Sequence, residues 1–180
     1  MSIKINYTNI KGKILSNLVL FSNENFNLGT LRSHLSNSEF SYISDLLKTI
    51  DLKKNLFVFE LNSKKKIVLV SIKKDLKTSD IENLGAEFFG RINYGKNSEY
   101  NVISDSINTK HKNFLGHFLH GLKLKSYIFN KYKSKKDTRL ISINIIGNKN
   151  KPSDKDKLKF KALEEGTFYA RDLVSEPGNI

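Results

Sequence analysis

From residue 56 onward the chain alternates between two apolar repeats, one of period two and one of period three to four. The first turns one face of a strand inward and the second turns one stripe of a helix inward. Strands are expected at residues 56–60, 67–72, 100–107 and 139–146, with two earlier ones at 3–7 and 14–21. Helical spacing appears at residues 37–50, where Phe40, Ile43, Leu46, Leu47 and Ile50 recur. It returns after Thr78 and Ser79, which suit an N-cap, with Ile81, Leu84, Phe88 and Ile92 on one face. A third helix is expected at 111–132, carrying Phe114, Leu115, Phe118, Leu119, Leu122 and Ile128. The fourth follows Pro152 and Ser153, and Leu158, Ala162, Leu163, Gly166, Ala170, Leu173 and Val174 trace one face until Pro177 and Gly178 stop it. Strands alternating with helices imply crossover units, hence an α/β fold with a mixed, largely parallel sheet flanked by helices on both faces. The two early strands are expected to pair as an antiparallel edge. The fourth helix is expected to pack Leu158, Leu163, Ala170 and Leu173 on the sheet, with Pro177 enforcing its exit.

At 180 residues and 38% hydrophobic content the chain has material for one core and one domain. It has no cysteine, so disulfides and thiolate metal sites are excluded, which suits a reducing compartment. The opening MSIKINYTNIKGK alternates like a strand rather than a signal peptide, and apolar runs such as residues 67–70 are far shorter than a membrane span. A cytoplasmic location with no membrane partner is therefore expected. The net charge of +13 points at first to nucleic acid or an anionic surface. However, only four of the 31 basic residues are arginine (Arg32, Arg91, Arg139, Arg171), and nucleic-acid sites draw on arginine's bidentate donors. Lysine, asparagine and isoleucine are abundant while alanine occurs only at Ala86, Ala162 and Ala170, a pattern that A/T-rich codons produce without a binding function.

Catalytic constellations are missing. The chain contains no HExxH, no glycine-rich loop ending in Lys-Ser/Thr and no GxSxG elbow. His117 and His120 share a helix at a spacing that can serve one metal, yet two ligands do not make a site, and His34 and His111 have no evident partners. Glu164 and Glu165, like Asp154 and Asp156, sit among lysines as on a solvated helix face. Lys64, Lys65 and Lys66 precede a buried strand and read as a solubilising turn rather than phosphate contacts. Gly85, Gly90 and Gly95 fit helix packing or capping better than a nucleotide loop. No catalytic, metal-binding or cofactor-binding residue is assigned.

Two segments carry a resemblance. TFYARDLVSEPGNI at residues 167–180 resembles the ARDL-x-x-x-P-x-N segment of cytosolic leucine aminopeptidases, with Ser175-Glu176 where Asn-Glu or Asn-x often precedes the proline. GLKLKSYIFNKYKSKK at residues 121–136 is similar to that family's G-x-x-L-x-S-Y-x-F-x-K-Y segment, with Gly121, Leu124, Ser126, Tyr127, Phe129, Lys131 and Tyr132 in place. KKIVLVSIKK and IENLGAEFFGRI agree more weakly. The resemblance implies that residues 1–175 form the amino-terminal, non-catalytic domain, macro-like in fold, and that residues 176–180 begin the connection to a catalytic domain. It implies a parent enzyme that uses two divalent ions, zinc or manganese, to remove amino-terminal residues from peptides. The parent would be a homo-hexamer assembled through its catalytic domains, and the present chain a monomer or weak dimer whose partner is that catalytic domain. The family's metal-ligand segments, GKG-x-x-F-D-S-G-G and N-T-D-A-E-G-R, do not occur here, so no ligand or catalytic role is carried over and this chain is expected to be inactive, with no cofactor of its own. Two alternatives stay open: a stand-alone macro-type module for a nucleotide or ADP-ribose, which needs a pocket at the carboxyl ends of parallel strands, and a basic nucleic-acid binder, since some family members bind DNA.

Overall fold

The strands Asn17–Asn23 (β2) and Lys65–Ile72 (β4) are the most deeply buried in the molecule and lie side by side in parallel at its centre. In the computed structural model, which describes residues 2–8, 16–93, 98–134 and 137–178, they belong to a six-stranded sheet. The others are Ser2–Thr8 (β1), Leu56–Asn62 (β3), Ser98–Ile103 (β5) and Leu140–Ile146 (β6), in the order β1-β6-β5-β2-β4-β3. Every pairing is parallel except β3 with β4. That hairpin turns where the Asn62 side chain accepts hydrogen bonds from the backbone N–H groups of Lys64 and Lys65, the usual way asparagine closes a turn.

Alternation along the central strands sends side chains into two cores. Leu18 and Leu20 of β2, with Ile67 and Leu69 of β4, join Ile43 of the helix Asn37–Thr49 (α1). Ser36 caps α1 reciprocally: its hydroxyl accepts from the Glu39 N–H, and the Glu39 carboxylate accepts from the Ser36 N–H at 2.8 Å. On the opposite face Val19, Phe21, Val68 and Val70 meet the helices Thr78–Ile92 (α2) and Phe114–Lys125 (α3), where Phe88 and Phe118 are fully buried. Fully burying one such ring stabilises the fold by roughly 1.5–3 kcal/mol. α2 and α3 cross with backbones in contact: a Cβ on Gly85 would lie 1.9 Å from the Phe118 carbonyl oxygen, and one on Gly121 would lie 1.9 Å from that of Glu82. Gly85 is thus a packing glycine as expected, whereas a Cβ on Gly90 would meet nothing.

The structure corrects three expectations. The early strands do not pair with each other: β1 is an edge strand parallel to β6, β2 is central, and the antiparallel edge is β3. The unbroken apolar run Leu18–Phe21 explains this, because a strand buried on both faces has no reason to alternate. The third helix is shorter than its apolar stripe, since it ends where the Ser126 hydroxyl donates to the Lys123 carbonyl. The fourth helix, Asp154–Ser175 (α4), does not lay its apolar stripe on the sheet. It packs outside α3, its one buried residue is Phe160, and Leu158, Leu163, Tyr169, Leu173 and Val174 are between 49% and 88% exposed. The stripe faces outward because Phe160 and Phe168 lie on the other side of the helix and turn that side inward. Expected features at residues 9–15, Gly95 and 179–180 lie outside the described residues. Among the described residues no helix is long and apolar enough to cross a membrane.

Candidate functional site

The two segments that carry the resemblance, 44 to 47 residues apart along the chain, meet in space beside α3. The Tyr127 hydroxyl donates to Asp172 at 2.7 Å, and its ring stacks against Phe168. Arg171 donates to the Leu124 carbonyl at 2.6 Å and lies over the Tyr127 ring. Lys131 and Tyr132 both donate to the Glu176 carboxylate, which their hydrogen bonds hold below the usual carboxylate range. Tyr127, Lys131, Tyr132, Arg171, Asp172 and Glu176 therefore form one polar clasp that fixes the end of α4.

Deeper along the same seam lie the histidines. His117 Nδ1 is 3.1 Å from Glu82 of α2, and His120 Nδ1 is 3.2 Å from Glu164 of α4. Their rings flank Phe160, with centroids 5.0 and 5.1 Å from its own. The pair frames a phenyl ring rather than a common ligand point. Among the described residues no three His, Asp or Glu side chains are grouped as metal ligands would be. His111 hydrogen-bonds the Lys112 carbonyl and packs against the His117 ring, and His34 ends the short turn Gly29–His34.

The acidic residues divide. Asp154 pairs with Lys157, Asp156 takes part in the Ser153 cap, and Glu165 lies 3.8 Å from Lys161, all at the surface as expected. Glu164 departs from that expectation: it is turned inward toward His120, Tyr7 and Lys123. Burial, with the charges of Glu164 and Asp154, pushes the Tyr7 hydroxyl up to about 12. Burial lowers Lys123 despite the opposing charge of Glu164, and Lys123 donates to the Ile3 carbonyl at 2.7 Å. These groups wall a cavity of about 440 Å³ between β1, α3 and α4, with Ile5, Phe160 and Phe168 as its apolar side. Glu164 was missed in the sequence because its partners lie dozens of residues away, while its chain neighbours Leu163 and Glu165 are both exposed.

A second cleft, of about 690 Å³, opens where the carboxyl end of β4 meets the amino end of α2. Its walls include Glu24, Asp75, Asp80 and Glu87 against Lys73 and Lys74. Acids outnumber bases here, so the place where a parallel sheet of this kind would take a nucleotide is a poor match for a diphosphate. Of the three lysines at the β3–β4 turn, Lys65 pairs with Glu39 and Lys66 with Glu60, which accounts for two of them structurally.

No protein-family model matches the chain, and no curated protein sequence matches it. Among solved structures it is similar to a tomato leucine aminopeptidase mutant, with a TM-score of 0.70 and 17% identity over 99% of this chain and 39% of that one. It is also similar to the cytosol aminopeptidase of Coxiella burnetii, with a TM-score of 0.58 and 14% identity over 95% of this chain and 33% of that one. At such identities the likeness establishes the fold. The chain spans 39% of the first structure's length and 33% of the second's.

Proposed function

We propose that this chain is the amino-terminal, non-catalytic portion of a cytoplasmic leucyl aminopeptidase, serving assembly or substrate access while the chemistry resides in sequence beyond it. The observation that carries the reading is the clasp. The two segments resembling the family, recognised separately in the sequence, touch through Tyr127–Asp172 and through Lys131, Tyr132 and Glu176, in a fold shared with two aminopeptidases over nearly the whole chain.

In the parent, two adjacent divalent ions, zinc or manganese, would polarise the scissile carbonyl and supply a bound hydroxide. The residues present here do not fit that group, because the His117 and His120 rings diverge to separate carboxylates on either side of Phe160. No step is assigned to this chain. Its own part is to hold α4 in one direction: Phe160 anchors the helix on α3, Glu164 fastens it to His120, and the clasp fixes its carboxyl end. Reading the open frame past Ile180 tests the proposal. A continuation with segments like GKG-x-x-F-D-S-G-G and N-T-D-A-E-G-R supports it, and a frame that encodes neither overturns it.

A further inference from the structure

Three elements each turn one side toward the cavity beside α3, and their periods bring this about. β1 presents Ile5 and Tyr7, two residues apart, and α3 presents Leu119, His120 and Lys123. α4 presents Phe160, Glu164 and Phe168, each four residues from the next, so Glu164 stands between two phenyl rings. A volume of about 440 Å³ lies within the roughly 300–1,000 Å³ of small-molecule sites, whose walls are mostly apolar with a few placed polar groups.

The polar groups keep unused hydrogen-bonding capacity. Among the described residues the Tyr7 hydroxyl makes no hydrogen bond. The Lys123 ammonium uses one of its three N–H groups, on the Ile3 carbonyl, and Glu164 accepts from His120 Nδ1 through one oxygen only. Burial disfavours the charged form of Lys123, and polar groups held in such surroundings are costly to leave unmet. The lysines at the rim are already matched: Lys157 pairs with Asp154 at 2.8 Å and lies 4.1 Å from the Tyr7 ring centroid, and Lys161 lies 3.8 Å from Glu165. That leaves one charge of each sign facing the cavity, Lys123 and Glu164, beside the apolar wall of Ile5, Leu119, Phe160 and Phe168. A ligand with only a carboxylate would meet Glu164 as a like charge, and one with only an amine would meet Lys123 as one. Water would satisfy the polar groups but leave the wall wet.

We propose that this cavity binds a free apolar α-amino acid as its zwitterion: the carboxylate accepts from Lys123 and the Tyr7 hydroxyl, the ammonium donates to Glu164, and the side chain lies on the apolar wall. The inference goes beyond the aminopeptidase reading and does not depend on it, since every group it uses is in this chain.

Calorimetric titration of the 180-residue protein with L-phenylalanine tests it. The expected Kd is about 1 mM or tighter. Phenethylamine and 3-phenylpropionate, each lacking one charge, should bind at least about tenfold more weakly, and glycine, lacking the apolar body, should not bind measurably. Two variants, checked for folding by circular dichroism, separate contact with the ligand from support of the fold. Glu164→Gln keeps an acceptor for His120 and removes the charge. It should weaken L-phenylalanine at least about tenfold and leave 3-phenylpropionate as tight or tighter. Tyr7→Phe should weaken L-phenylalanine and 3-phenylpropionate alike, by about fivefold, and leave phenethylamine unchanged. No saturable binding of L-phenylalanine would overturn the proposal. So would equal binding of either singly charged analogue, or an affinity for L-phenylalanine that neither variant changes.

Discussion

α2 and α3 approach until their backbones touch, whereas α3 and α4 are held apart by rings and carboxylates. In the first contact Gly85 and Gly121 remove the side chains that would block it, and Phe88 and Phe118 fill the space beneath. In the second a single phenyl group, Phe160, is buried, and the rest of the hold is His120–Glu164, Tyr127–Asp172 and the Glu176 clasp. Tight apolar packing tolerates no added atom, while a polar seam concentrates its strength in a few named pairs and leaves the far side of the helix free. The difference separates a core packed backbone to backbone from an outer helix fastened by one ring and a few polar pairs.

That contrast breaks hardest at Gly121. Gly121→Ala drives a methyl group into the Glu82 carbonyl, and urea melts should show a loss of about 3 kcal/mol, since backbone on both sides leaves nothing soft to yield. The outer seam should give way more locally. Phe160→Ala removes the one buried anchor of α4 and should cost about 2 kcal/mol, with hydrogen exchange rising along α4 while β2 and β4 stay protected. Uniform loss of protection would mean that the seam belongs to the core.

The alternation of strands and helices was legible because each element is long and strongly periodic, and the parallel sheet followed from it. Two things were not legible, for different reasons. Strand order is a property of the whole chain: β1 and β2 are neighbours in sequence, yet β6 and β5 lie between them in the sheet. The direction of α4 was hidden because the helix has two apolar sides, and the longer stripe through Leu163 and Leu173 outweighed the shorter one through Phe160 and Phe168. Two phenylalanines on the less obvious side were the available signal. The clasp was half legible: the resemblance marked Tyr127, Lys131 and Asp172, but the two segments lie about 45 residues apart and no local spacing announces that they meet.

Smaller effects sharpen the comparison. Burial raises the Glu39 carboxyl, but hydrogen bonds from Lys65 and Ser36 outweigh it and hold the group below its ordinary 4.5. A folded-state value below the unfolded one means stability that is present above pH 4.5 and lost as pH falls through the lowered folded value. Glu39→Gln should therefore cost about 1 kcal/mol at neutral pH and flatten the acid limb of the stability curve there. An acid limb unchanged by the substitution would show that the Lys65 pair does not anchor α1. Leu163→Ala should shift a dilute, monomeric sample by less than about 0.5 kcal/mol, because the side chain is half in water. A loss of several kcal/mol would restore the packed stripe that the structure denies.

The proposed division of labour lies between this chain and the sequence that would follow it. Hydrolysis of leucine amide, measured with zinc and with manganese on the 180-residue protein and on the chain extended through its downstream reading frame, tests that division directly. The expected result is no turnover by the short chain with either ion and metal-dependent turnover by the extended one. Turnover by the short chain that survives removal of host peptidases, or none by an extended chain that binds both ions, would contradict it.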